Sequence, residues 1–201
     1  METLHLEHVP ADHVPLVGHV ISQKIHNNQA VYSSLTKAWP FVIIFSFAVL
    51  GPNLFLLKFS KQKHITKILD QTTWNVNGSF LALQKWSPDA TLGELSLKNV
   101  PFWIQIHGFP LCNMSSKNAI AIGKGLGNLL RVEDASEAST TFRSYLRILV
   151  EIDSLKPVKP GFPLARPDGA SSWVSLKYER LGAYCTNYGL IGHKQVSCQA
   201  P

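Results

Sequence analysis

The stretch that decides the fold is residues 41–59 of this 201-residue protein, which read FVIIFSFAVLGPNLFLLKF. Its length raises the question of a membrane-spanning helix, which needs about 20 predominantly apolar residues. The sequence Gly-Pro-Asn at 51–53 breaks the run, and Lys58 follows. A turn sequence between two runs rich in Val, Ile, Leu and Phe instead predicts a hairpin of buried strands, 41–50 and 54–59, and no membrane segment.

Helices are predicted on both sides of this hairpin. Asn27 can cap a helix that Pro40 ends, and Ser60 can cap another with an apolar stripe. The predicted elements of this first unit are a strand over 16–21, a helix over 27–39, the hairpin, a helix after Ser60 and a strand over 80–83 that follows an Asn-Gly turn. The order β-α-β-β-α-β, with both helices on one face of an antiparallel sheet, predicts an α+β fold of the ferredoxin-like or RRM-like kind.

A second group of elements follows a polar connector at 87–99. It contains a strand over 101–106, a helix capped at Ser115, and strands over 129–133 and 145–152, so a β-α-β-β extension either lengthens the first sheet or packs against it. The expected segments are a loose leader (1–14), an α+β domain (15–153, with units 15–86 and 100–153), a basic linker containing a short strand (154–180) and a tail (181–201).

Composition and charge narrow the class of protein. A chain that is 45% hydrophobic and 10% aromatic is expected to fold, and its formal net charge of +6 favours a polyanionic partner. Residues 154–201 carry six of the basic residues and only two acidic ones. Three cysteines, and a start (METLHLEHVPADHVP) unlike a secretory signal, predict an intracellular protein of the nucleus or cytoplasm.

The tail contains a spaced motif, C-x2-Y-x4-H-x4-C, formed by Cys185, Tyr188, His193 and Cys198. A zinc knuckle has the spacing C-x2-C-x4-H-x4-C, so three ligand positions match. One glycine directly follows the second ligand position and another directly precedes the histidine. Glycines there allow so short a loop to fold tightly around an ion. The motif therefore predicts a degenerate zinc knuckle with Cys185, His193 and Cys198 as the metal ligands.

Zinc occupancy is left open by the missing ligand. Structural zinc requires four Cys or His ligands, and a phenol with an ordinary pKa of about 10 is a poor substitute. Either zinc binds with water or Cys112 in the fourth position, or the tail carries no metal and is inert.

The sequence resembles a plant domain-of-unknown-function family found in retrotransposon-derived, LINE-type, Gag-like proteins, in which an α+β domain precedes a CCHC zinc knuckle. The segments that carry the resemblance are Leu16-Val17-Gly18, Leu50-Gly51-Pro52-Asn53-Leu54-Phe55, Lys85-Trp86-Ser87-Pro88, the run from Val100 to Pro110, Ala121-Ile122-Gly123 and Tyr178-Glu179-Arg180-Leu181. The resemblance implies nucleic-acid binding, with metal ligands at Cys185, His193 and Cys198. Tyr188 and the unusually apolar 41–49 depart from the family pattern.

Several other residues are candidates for contact with nucleic acid. In and beside the tail these are Tyr184, Lys194, Arg180 and Lys177, and on the second predicted helix they are Lys61, Lys63 and Lys67. The helix lysines can equally form a solvated surface. In the register that buries Phe55, Leu57 and Phe59, the first sheet presents no aromatic platform for stacking bases. The five tryptophans are expected in the core.

The main hypothesis is a non-enzymatic module that binds RNA or single-stranded DNA. The alternative is a protein-interaction or self-association domain with an inert tail. An enzyme is not predicted, because the eight histidines occur without H-E-x-x-H or another catalytic spacing.

Overall fold

The computed structural model of the protein describes residues 15–42, 45–71, 74–87, 90–95, 97–133, 144–166 and 169–198. The predicted leader, residues 1–14, lies outside the described residues. The first unit contains β1 (Pro15–Ile21), α1 (Asn28–Ala38), β2 (Phe45–Gly51), β3 (Leu54–Phe59), α2 (Gln62–Asp70), β4 (Trp74–Val76) and β5 (Ser79–Lys85). The second contains β6 (Asn99–His107), α3 (Ser116–Leu126), β7 (Asn128–Val132), β8 (Tyr145–Asp153), β9 (Gly161–Ala165) and β10 (Ser171–Tyr178).

The hairpin predicted from residues 41–59 is present as β2 and β3, and residues 43 and 44 of its predicted first strand lie outside the described residues. Asn53 adopts a left-handed φ of 56° at the turn, and its buried side chain accepts a hydrogen bond from the His26 backbone N–H at 2.9 Å. No helix in the described ranges is long and apolar enough to cross a lipid bilayer.

The first sheet has the strand order β2-β3-β1-β5-β4, with every neighbouring pair antiparallel. The predicted order of elements is confirmed, with β4 as an added edge strand. Asn27 caps α1 as expected, because its side chain accepts from the backbone N–H groups of Gln29 and Ala30. The cap predicted at Ser60 is wrong by one residue: α2 is preceded by Lys61, which makes no side-chain capping bond.

Both helices contribute to a core on one face of the first sheet. Trp39 lies at its centre, with edge-to-face contacts to the rings of Phe45, Phe59 and Trp74. Phe55, Leu57 and Phe59 point into this core as the register predicted, so the first sheet has no stacking aromatics on the outer face of β3.

The second sheet is separate from the first and has the order β7-β8-β6-β10-β9. Adding five to each strand number of the first sheet reproduces this order, so the two units share one topology. The segment 154–180, expected as a linker with a short strand, supplies β9 and β10. No helix lies between β8 and β9, where Pro157 and Pro160 occupy the connection, so α3 is the one α-helix among the described residues of this unit.

The two units share the second core. Phe80 of β5 packs on Phe102 of β6 with ring centroids 4.7 Å apart, and Ala82 joins the same cluster. These side chains lie on the face of the first sheet opposite its helices. Ala119 of α3 and the inward side chains of β6 and β8 complete the cluster. The first sheet and α3 therefore together cover the inward face of the second sheet.

Candidate zinc site and nucleic-acid interface

The tail folds into a tight loop, residues 184–198, called the knuckle loop below. Tyr184 and Ile191 form an antiparallel bridge, and the Cys185 backbone N–H donates to the Leu190 carbonyl at 2.8 Å. Gly189 and Gly192 have φ values of 71° and 107°. Both glycines of the motif therefore occupy backbone conformations that other residues rarely adopt, which confirms their predicted role in closing the loop.

The loop brings Cys185, His193 and Cys198 together. Their ligand atoms all lie within 4.8 Å of one another. Zinc–sulfur bonds of about 2.3 Å place tetrahedral ligands about 3.8 Å apart, so a contraction of about 1 Å gives bonding geometry. The structure therefore brings together the three residues that the sequence predicted as metal ligands.

Two features of these side chains fit a metal ion. His193 is buried, and its Nε2 has no hydrogen-bond partner among the residues that the structure describes, although a buried polar atom normally has one. Burial raises the pKa of the Cys185 thiol, but hydrogen bonds from the backbone N–H groups of Tyr188 and Asn187 and from Cys198 lower it, and the net pKa is below its ordinary value. A thiol poised to ionise next to an unpartnered imidazole nitrogen is a suitable donor set for zinc.

The fourth ligand position belongs to Tyr188, which is 38% exposed. Cys112 is exposed in the connection between β6 and α3 and is not part of the ligand cluster. Among the described residues the candidate site therefore has two thiols and three possible ligands, one fewer than a closed structural zinc site requires.

The comparisons with known proteins agree with this geometry. Residues 152–200 match the zinc knuckle family. Residues 15–94 match a domain of unknown function, DUF4283. The uncharacterized protein At4g02000 of Arabidopsis thaliana is 24% identical over 134 residues, which cover 67% of this chain and 42% of that protein. No solved structure matches the chain.

The knuckle loop is packed against both units. The Gln23 N–H, just after β1, donates to the Gly192 carbonyl at 3.4 Å, and the Val158 N–H donates to the Gly189 carbonyl at 2.9 Å. Ala183, the residue before the loop, also donates to the Gly78 carbonyl in the β4–β5 turn at 2.9 Å. Ile191 is buried in the second core. A loop held by backbone bonds on two sides keeps its ligands together without relying on metal alone.

A groove of about 950 Å³ lies beside the knuckle loop. Two of the candidate ligands, His193 and Cys198, line it together with Lys194, and Lys24 and His26 from the segment after β1 line it as well. Basic side chains from two segments of the chain therefore lie beside the candidate ligands. Lys24 and His26 were not predicted, because only the fold brings the loop after β1 next to the tail.

The other predicted contact residues are spread over the surface. Tyr184, 37% exposed, belongs to the knuckle loop, whereas Lys177 lies on β10 and Arg180 is the second residue after that strand. Lys61 precedes α2, and Lys63 and Lys67 are exposed on it, away from the residues that line the groove. Lys67 holds its ammonium 4.2 Å from the centroid of the Phe41 ring.

The expectation for the tryptophans is wrong at one position. Trp39, Trp74 and Trp103 are buried, as predicted, and Trp86 is half-buried, but Trp173 is 56% exposed on β10. It lies on β10, one strand from the sheet edge.

Proposed function

We propose that the protein is a non-enzymatic nucleic-acid-binding module that acts on RNA or single-stranded DNA. The observation that carries the proposal is the convergence of Cys185, His193 and Cys198, with an unpartnered buried histidine nitrogen, in a loop bordered by lysines. A zinc knuckle is a nucleic-acid-binding element, which supports this function at a coarse level.

Zinc, when bound to the three ligands, would cross-link the knuckle loop and fix its exposed rings. Tyr184 and Tyr188 present aromatic surface on which unpaired bases can stack, and Lys24 and Lys194 stand where phosphates would pass along the groove. With three protein ligands, zinc binding is weaker than in a complete knuckle, so the tyrosines and lysines carry more of the binding energy.

The proposal extends to origin and location. The order of motifs that resembles LINE-type, Gag-like proteins supports a retrotransposon-derived protein, and the antiparallel order β2-β3-β1-β5 of the first sheet supports an RRM-like arrangement. A protein with this role would work in the nucleus or cytoplasm, where RNA and single-stranded DNA occur.

Filter binding across a salt series tests the function. We expect the full chain to bind a single-stranded RNA or DNA oligonucleotide at low salt. Lys194→Gln should reduce the steepness of the salt dependence by about 0.7 for each lost phosphate contact. The exposed Lys85, which does not line the groove, provides the matched control as Lys85→Gln. Absence of measurable binding to either nucleic acid at low salt would refute the proposal.

One observation favours self-association as a second function. β2 lies at the edge of the first sheet, paired within the described residues to β3 only, and Val49 on it is 49% exposed. Exposed apolar edge strands can pair with a second chain. Light scattering after size-exclusion chromatography tests this, and a strict monomer at all concentrations would exclude it.

A further inference from the structure

The second sheet has a face that neither α3 nor the first sheet covers, called the open face below. Along β6 and β8, side chains alternate strictly: Phe102, Ile104 and Ile148 enter the second core. Their neighbours point the opposite way. The open face carries Trp103, Gln105 and His107 from β6, Tyr145 and Arg147 from β8, and Trp173, Ser175 and Lys177 from β10.

The base of this face is a rigid cluster around Trp103, which is only 4% exposed. The guanidinium of Arg147 lies 3.8 Å from the centroid of the Trp103 ring, and that of Arg131 lies 4.8 Å away. Glu179 and Glu133 accept hydrogen bonds from Arg147 at 2.7 Å and 2.9 Å. Glu179 and Glu133 are thus both bound to Arg147, which reduces their repulsion of an anion near Arg131. Asp70, at the end of α2, is a further acidic group that lines the same pocket as Arg131.

Flat rings occupy the next rows of the same face. His107 and Tyr145 face each other across β6 and β8, with ring centroids 5.0 Å apart. Ser175 is the partner of His107 on the other side, and Trp173 lies two residues away from it on β10, a distance of roughly 7 Å along the strand.

The position of Trp173 is determined by its neighbour on β9. A Cβ added to Gly161 would come within 2.8 Å of the indole Nε1 and Cε2 atoms, so the missing side chain leaves room for the ring above the strand. The ring is nevertheless 56% exposed, although burying it would be favourable. The indole of Trp173 therefore packs over Gly161 and still presents exposed apolar surface that a partner can contact.

We infer that the open face of the second sheet is a binding platform for a single-stranded nucleic acid, with bases stacked on Trp173 and on the His107–Tyr145 pair and phosphates near Lys177 and Arg131. Aromatic rings beside cations are the two groups that a single strand requires, because every base has a π-face and every nucleotide a charge. The first sheet lacks such rings on the outer face of β3, so the platform is a property of the second unit.

This inference rests on the proposed function but concerns a surface outside the knuckle loop. The test uses the full chain and a fluorescein-labelled single-stranded oligouridine or oligothymidine. Trp173→Leu keeps apolar bulk and removes the aromatic ring, and we expect its affinity to fall about fivefold or more. Trp173→Phe keeps a ring and should retain most of the affinity. Leu155→Ala removes another exposed apolar side chain (66% exposed), outside this face, and should bind like the parent.

Salt dependence separates the two kinds of contact. Lys177→Gln should reduce the salt slope by about 0.7 per phosphate, whereas Trp173→Leu should lower affinity with an unchanged slope. Because Trp173 is exposed, its variants should unfold at the parental temperature. A fluorescence measurement does not depend on any loss of stability. The oligonucleotide should quench the tryptophan fluorescence of the parent, and it should quench that of Trp173→Phe much less, because the stacked indole is absent.

The outcomes distinguish this inference from the proposed function. Parental affinity in Trp173→Leu, combined with weaker binding in Lys194→Gln, would overturn the platform and leave knuckle-based binding intact. A change in oligomeric state in Trp173→Leu without a change in affinity would assign the face to protein contact and also overturn it. If the parent binds neither oligonucleotide, both ideas fail.

Discussion

Tyr188→Cys is the substitution that bears most directly on the metal site. The loop around this position is already formed: Gly189 has its left-handed φ, its N–H donates to the Cys185 carbonyl at 2.6 Å, and the Tyr188 N–H hydrogen-bonds the Cys185 thiol. A thiol introduced at 188 would therefore have the spacing of a complete knuckle. We expect it to supply the fourth zinc ligand without rearrangement of the backbone.

The magnitude follows from the number of ligands. Structural zinc binding of about 10–16 kcal/mol, divided among four ligands, gives about 3 kcal/mol for each. At 1.4 kcal/mol per decade, Tyr188→Cys should bind zinc at least about a hundredfold more tightly than the parent. Nucleic-acid affinity should also rise, because a metal held by four ligands orders the loop that carries Tyr184.

Zinc affinity is measured by competition with a chromophoric chelator, and stoichiometry by elemental analysis of the purified protein. Tyr188→Phe is the matched control, because it removes the hydroxyl without supplying a thiol. It should bind zinc as the parent does. Equal zinc affinity in the parent and in Tyr188→Cys would refute the argument and show that another group already completes the site. Weaker binding in Tyr188→Phe alone would identify the phenol oxygen as that group.

Three further predictions concern stability. Gly189→Ala forces a side chain into φ 71° and should cost about 1–2 kcal/mol in urea unfolding; no change would contradict the strained-loop argument. Phe80→Ala should cost about 3–5 kcal/mol, and a far smaller loss would mean that the contact with Phe102 is loose. Hydrogen bonds from Arg147 lower the pKa of Glu179. The ionised carboxylate therefore stabilises the fold at pH values above the ordinary pKa of a glutamate. Thermal unfolding of Glu179→Gln should show lower stability than the parent at pH 7 and a gap that closes as the pH falls through the folded pKa of Glu179; a constant gap would rule out this ionic contribution.

Local sequence signals predicted most of the elements. The Gly-Pro-Asn turn, the Asn27 cap and the alternation along β8 each depend on neighbouring residues, and each is present in the structure. β4 was missed because it is only three residues long, and its pairing with β5 depends on the turn between them. The Ser60 cap failed because Lys61 is still extended, with φ −136° and ψ 124°.

The candidate site likewise has a part that local sequence predicts and a part that only the fold creates. The three candidate ligands were predicted because their spacing encodes a loop that closes on itself. The groove and the open face could not be predicted, because they depend on contacts between distant segments, such as Gln23 with Gly192 and Trp173 with β9. Trp173 lies among serines in Ser171-Ser172-Trp173-Val174-Ser175, an unusual setting for a core tryptophan and the only local sign of its exposure.

The shared topology of the two units has a consequence for how the chain unfolds. Each unit repeats the strand order of the other, yet Phe80 from one completes the core of the other, and the knuckle loop is bonded to both. Neither half can separate without exposing apolar side chains that it shares with its partner. A fragment ending near residue 94, where the match to DUF4283 ends, would leave Phe80 and Ala82 exposed. The two halves should therefore melt in a single cooperative transition, as a repeat whose members no longer have independent stability.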